Sequence, residues 1–180
     1  MSKVLIVTAS LRPSSNSDIL AEEVRKGALE SGHEAEILSL KGKQIAFCRG
    51  CLACQKTQKC VIKDDAAAIA EKVRQADTLV FATPIYYYEL SGQLKTLLDR
   101  CNPLYTMDYR FRNVYLLCTA AEDEDSVPEK AVAGLQGWTD CFEKAVYSGT
   151  FFGGGVNDPG EAGKKAELLE KAREFGRKLL

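Results

Sequence analysis

From Lys3 to Ala9 the chain reads Lys-Val-Leu-Ile-Val-Thr-Ala, an apolar, β-branched run without alternation, which predicts a strand covered on both faces of a parallel sheet. Leu20, Val24 and Ala28 then recur every four residues on one helical face, and the segment ends at Ser31-Gly32, so a crossover helix follows from Asn16. Glu34 to Leu40 is a weaker strand nearer an edge, and Ala66, Ile69, Ala70 and Val73 stripe a helix opened by Asp64 and Asp65. Thr78 to Thr83 is a third buried strand, expected to stop at Pro84, and Ser91 to Arg100 carries Leu94, Leu97 and Leu98 on a helix. Val114 to Ala120, a helix after Val127-Pro128, Ala145 to Phe152, and a last helix with Leu168, Ala172, Phe175 and Leu179 complete five strand-helix units. Right-handed crossovers turn this alternation into a doubly wound α/β fold whose ligands lie beyond the carboxyl ends of the strands.

That rule directs attention to the loop after the first strand, Ser10-Leu11-Arg12-Pro13-Ser14-Ser15-Asn16-Ser17. It opens a helix, where free backbone N–H groups and the positive helix end attract an anion. Ser10, Ser15, Asn16 and Ser17 can donate to phosphate oxygens, and Arg12 can add a charge-assisted contact. Neither G-x-G-x-x-G nor G-x-x-x-x-G-K-S is present, which favours a mononucleotide over a dinucleotide or a triphosphate. Simple helix capping by serine and asparagine is the plainer alternative for such a loop.

After the third strand comes Thr83-Pro84-Ile85-Tyr86-Tyr87-Tyr88. Pro84 directs the chain and the tyrosines offer flat apolar area, so Pro84 to Tyr88 would wall a planar ring, or else pack a subunit interface. Thr119 and Ala120 end the fourth strand, where they would border the same ring, with Ala121 and Glu122 next to them.

The run Ser10-x-Arg12-x-x-Ser15-Asn16-Ser17, with Thr83 to Tyr88, Ser91-Gly92-Gln93-Leu94-Lys95 and Asp99-Arg100, resembles the NADPH-dependent FMN reductases and related flavoproteins over most of residues 3–120. The resemblance implies one flavodoxin-like domain over residues 1–180, a three-layer α/β/α sandwich around a five-stranded parallel sheet ordered 2-1-3-4-5. It also implies FMN as cofactor, NAD(P)H as a transient electron donor, and a homodimer or homotetramer. The redox chemistry would then belong to the flavin, with no catalytic side chain required.

Residues 41–63 form a cysteine-rich loop. Cys48, Cys51, Cys54 and Cys60 place four soft ligands within thirteen residues, a spacing that suits [4Fe-4S] better than the paired Cys-x-x-Cys turns of structural zinc. Free thiols are the other reading. The pattern and its place between the second strand and the second helix resemble the iron-sulfur flavoproteins, a branch of the same group, which implies ferredoxin as a partner. A non-enzymatic, metal-stabilised interaction module is the competing class. Cys101, Cys118 and Cys141 have no metal spacing and read as core or thiol positions. His33, the only histidine, sits in a turn at a helix end and reads as structural.

Composition narrows the partners. Twenty-four basic and 25 acidic residues leave a net charge of -1, so no global charge points to nucleic acid or an anionic membrane, and a small-molecule donor and acceptor are expected. The apolar stretch at residues 1–9 is too short for a signal core or a membrane span, and seven cysteines are odd for a disulfide scaffold. A cytoplasmic protein is the expectation.

Overall fold

The computed structural model describes residues Met1–Leu180. β1 (Lys3–Thr8) pairs in parallel with β2 (Glu34–Ser39) on one side and β3 (Thr78–Tyr86) on the other. β5 (Asn113–Thr119) and β6 (Val146–Gly153) extend the parallel sheet beyond β3, giving the order β2-β1-β3-β5-β6. The five parallel strands thus follow the expected 2-1-3-4-5 pattern. A sixth strand, β4 (Glu89–Leu90), is a two-residue antiparallel arm on β3.

Both faces of the sheet are covered, which is why β1 shows no polar alternation. Leu5 and Val7 enter one core with Ile69, Ala70 and Val73 of α3 (Asp65–Gln75), Leu94 and Leu97 of α4 (Gly92–Arg100) and Leu135 of α5 (Glu129–Thr139). Val4 and Ile6 enter the other, with Leu20 and Val24 of α1 (Asn16–Glu30) and Ala172 of α6 (Ala166–Arg177). A short α2 (Ala53–Thr57) lies inside the cysteine-rich loop. No helix is long and apolar enough to cross a membrane.

One boundary differs from the sequence reading. β3 does not stop at Pro84 but continues to Tyr86, with Pro84 opposite Thr119 of β5. The Ala82 carbonyl accepts from the Ala9 N–H, so strand alternation turns the Pro84 nitrogen to the same side, past the end of β1. The donor that proline lacks would have met no strand there, and the ladder is unharmed.

α1 and α6 meet backbone to backbone. A Cβ on Gly27 would lie 2.0 Å from the Arg173 carbonyl oxygen, and one on Gly176 would lie 2.1 Å from that of Val24. The two glycines set the closeness of this crossing.

Candidate functional site

A cleft of about 210 Å³ opens beyond the carboxyl ends of β1, β3 and β5. Its first wall is the turn into α1. Ser15 is the helix cap, its hydroxyl accepting from the Asp18 N–H at 3.4 Å and meeting the Ser17 hydroxyl at 2.9 Å. Ser10 accepts the Arg12 N–H at 3.3 Å. Backbone N–H groups of Ser15, Asn16 and Ser17 take no backbone partner, as first-turn donors do not. Ser10, Arg12, Ser15 and Asn16 line the cleft; Ser17 is fully buried behind them.

Two of these side chains carry a further structural duty. Asn16 donates to the Asp158 carbonyl and accepts the Ala162 N–H, both at 3.0 Å, and Arg12 donates to the Asn157 carbonyl at 2.7 Å. They tie the loop after β6 to the first wall, so Val156 and Asn157 also line the cleft. The sequence reading missed both positions. The signal was Gly153-Gly154-Gly155: a Cβ on Gly154 would lie 2.7 Å from the Asp123 Cα, so only a glycine lets this loop approach the one after β5.

The second wall is Pro84, Ile85 and Tyr86, and the third runs from Thr119 and Ala120 to Ala121 and Glu122. Thr83 anchors the second wall: its hydroxyl meets that of Ser91, the cap of α4, at 3.0 Å and accepts the Ser91 N–H at 3.2 Å. Tyr87 and Tyr88 do not line the cleft. Both adopt left-handed φ angles, 51° and 65°, in the turn to β4, and Tyr87 is 100% exposed. Tyr88 meets Glu122 at 3.4 Å, and the Lys130 ammonium lies 5.6 Å from its ring centre.

Asp18, in the first turn of α1, is the discordant charge beside this anion-attracting end. Burial pushes its carboxyl above the usual range, opposed by Lys41 and by a hydrogen bond from Thr8, and one carboxylate oxygen is buried without a partner. A raised carboxyl pKa in the folded state means that stability falls as pH climbs from the unfolded value through the folded one. Asp18→Asn is therefore expected to melt higher than the parent at pH 7, the gap closing toward pH 3. A constant gap across that range in thermal melts would refute the assignment.

A second, small pocket of about 20 Å³ gathers Cys48, Cys51, Cys54 and Cys60. Cys48 and Cys51 are exposed, Cys60 is half-buried and Cys54 is buried. Left-handed residues at Gly50, Leu52 and Gln58 bend the chain around it. Two sulfurs already accept hydrogen bonds: Cys48 from the Gly50 N–H at 3.5 Å, and Cys54 from the Asn102 side-chain amide at 3.1 Å. The four cysteines are soft donors of the kind iron–sulfur sites use, but no three of them stand together in an arrangement that holds a metal ion. Elsewhere, burial pushes the Cys101 and Cys118 thiols up to about 12, as inert core thiols require. His33 accepts the Ser2 N–H through Nδ1 at 3.2 Å, a structural role.

An iron-sulfur flavoprotein of Methanocaldococcus jannaschii is 37% identical over 111 residues, covering 62% of this chain and 57% of the relative. Another, from Archaeoglobus fulgidus, is 43% identical over 96 residues, covering 53% of this chain and 45% of the relative. The chain thus spans about half the length of these curated relatives. Among solved structures, the NAD(P)H:quinone oxidoreductase from Methanothermobacter marburgensis superimposes with a TM-score of 0.78 at 22% identity, covering 98% of this chain and 94% of that one, which shows the flavodoxin-like fold. The family model for NADPH-dependent FMN reductase matches residues 2–133, and the chain belongs to that family.

Proposed function

We propose that this protein is an FMN-dependent oxidoreductase that takes electrons from NAD(P)H and passes them to a small-molecule acceptor. The observation that carries this reading is the convergence on one cleft of an anion-attracting helix start and two walls made of Pro84–Tyr86 and Thr119–Glu122. The N–H groups of Ser15, Asn16 and Ser17, the hydroxyls of Ser10 and Ser15, and the Arg12 guanidinium would hold the phosphate. The two walls would hold the ring, Ile85 and Tyr86 supplying apolar area and Thr119 and Ala120 leaving room for close backbone approach. When bound, FMN supplies hydride and single-electron chemistry, so no side chain needs to act as acid or base. A nicotinamide would dock transiently over the open face of the bound ring, as NAD(P)H use by the family implies. Seven free cysteines suit a reducing cytoplasm, and a homodimer or homotetramer would cover the exposed Tyr87.

A second reading is favoured by the four-cysteine pocket: the protein also carries a [4Fe-4S] cluster on Cys48, Cys51, Cys54 and Cys60 and exchanges electrons with ferredoxin. Residues 41–63 hold six of the chain's basic residues and none of its acidic ones, a charge that suits an acidic electron carrier.

The test is anaerobic purification followed by titration with FMN. One FMN per chain, with flavin absorbance bleached by NADPH or NADH, is the expected result. Failure to bind FMN would overturn the first reading. The second is read from iron and sulfide uptake: about four of each per chain supports the cluster, and none rejects it.

A further inference from the structure

Arg100 is the only charged residue buried in the chain. Its side chain has no exposed surface and makes a two-pronged pair with Asp64, at 2.6 and 2.9 Å. The same guanidinium donates to the Ala46 carbonyl at 2.7 Å and to the Ile62 carbonyl at 3.4 Å. Asp64 in turn accepts the Ala46 N–H at 2.9 Å. Ala46 lies two residues before Cys48, and Ile62 two residues after Cys60. The pair therefore clasps the entry and exit of the cysteine loop.

Stability alone is a weak reason to bury such a pair, because apolar residues of similar volume commonly do as well. Its position supplies another. Arg100 lines the four-cysteine pocket while Asp64 does not, so of the two charges of the pair it is the cation that borders the cysteines. The Arg100 Nε–H is buried without a partner.

We infer that Arg100, locked by Asp64, is the positioning residue of the four-cysteine site: it closes the loop at its base and fixes a positive charge against the sulfurs. This rests on the reading of that pocket as an iron–sulfur site. A fixed cation beside thiolates favours their anionic form and raises the reduction potential of what they bind, because an added electron is better tolerated there.

The test uses the full chain, loaded anaerobically with ferrous ion and sulfide. Three proteins are compared: the parent, Arg100→Lys, and the neutral pair Asp64→Asn/Arg100→Gln. Trp138 fluorescence and FMN titration report whether each is folded. The neutral pair is expected to bind iron about 10- to 100-fold more weakly, in the range seen when outer partners of metal ligands are removed. The clusters it does retain should be reduced at a lower potential in a dye-mediated titration. Arg100→Lys keeps the charge but loses the fork, so it should recover the potential and not the full iron affinity; it also serves as the decisive variant if the neutral pair does not fold. A loaded parent whose variants match it in both affinity and potential overturns the inference while leaving the cysteine site intact. A parent that takes up no iron and sulfide overturns the site, and the inference with it.

Discussion

Gly176→Ala is expected to destabilise the protein by about 3 kcal/mol, even though alanine is the better helix former. The added methyl would stand 2.1 Å from the Val24 carbonyl oxygen and 2.8 Å from its carbon. Both are backbone atoms in the middle of α1, so no rotamer change can make room, and the helices must part. α1 and α6 cover the same core, where Leu20, Val24 and Ala172 are fully buried, and parting them opens gaps along that face. For a chain of this size the melting temperature should fall by roughly 6–12 °C. Gly137→Ala is the control: its Cβ meets nothing within 4 Å in α5, and it should be neutral or slightly stabilising. Equal melting temperatures for Gly176→Ala and the parent would refute the close crossing.

The second large effect concerns the first wall of the cleft. Arg12→Ala combined with Ser15→Ala is expected to weaken FMN binding by about 100-fold, a loss near 3 kcal/mol from one charge-assisted contact and one neutral hydrogen bond. Ser15 also caps α1, so Ser15→Ala alone should lower stability by about 1 kcal/mol. Arg12 is exposed, and its removal frees only the Asn157 carbonyl. Fluorescence titration of FMN, run beside titration of riboflavin, separates the two effects. The phosphate contacts are lost only for FMN, so the ratio of the two affinities must fall. An unchanged ratio would place the phosphate elsewhere.

The fold was legible because the core strands are buried on both faces. Runs such as Val4–Val7 and Leu79–Ala82 admit no other reading once helical stripes lie between them. Boundaries were less legible for a specific reason: proline forbids a ladder bond only on the side its nitrogen faces, and sequence does not show which side that is. β4 has two residues, too few for any period to appear. At the cleft, the serines and Arg12 were visible from their chemistry at a strand end. Val156 and Asn157 were not, since they line the site only because Asn16 and Arg12 hold their loop some 140 residues downstream. The side-chain amide of Asn16 is engaged in that tie, which leaves its backbone N–H as its contribution to an anion site. At the cysteine loop the spacing was plain, whereas Asn102 and Arg100 enter through contacts across 48 and 36 or more positions that no local pattern records.

No residue from 47 to 61 belongs to either core cluster, and the segment begins and ends at the Arg100–Asp64 clasp. In evolutionary terms the cysteine loop is a cassette. Its sequence between the clasped ends is under no packing demand from either core, so it can vary more freely than the sheet or the cleft. A lineage could therefore remodel the four-cysteine loop while inheriting the neighbouring cleft unaltered.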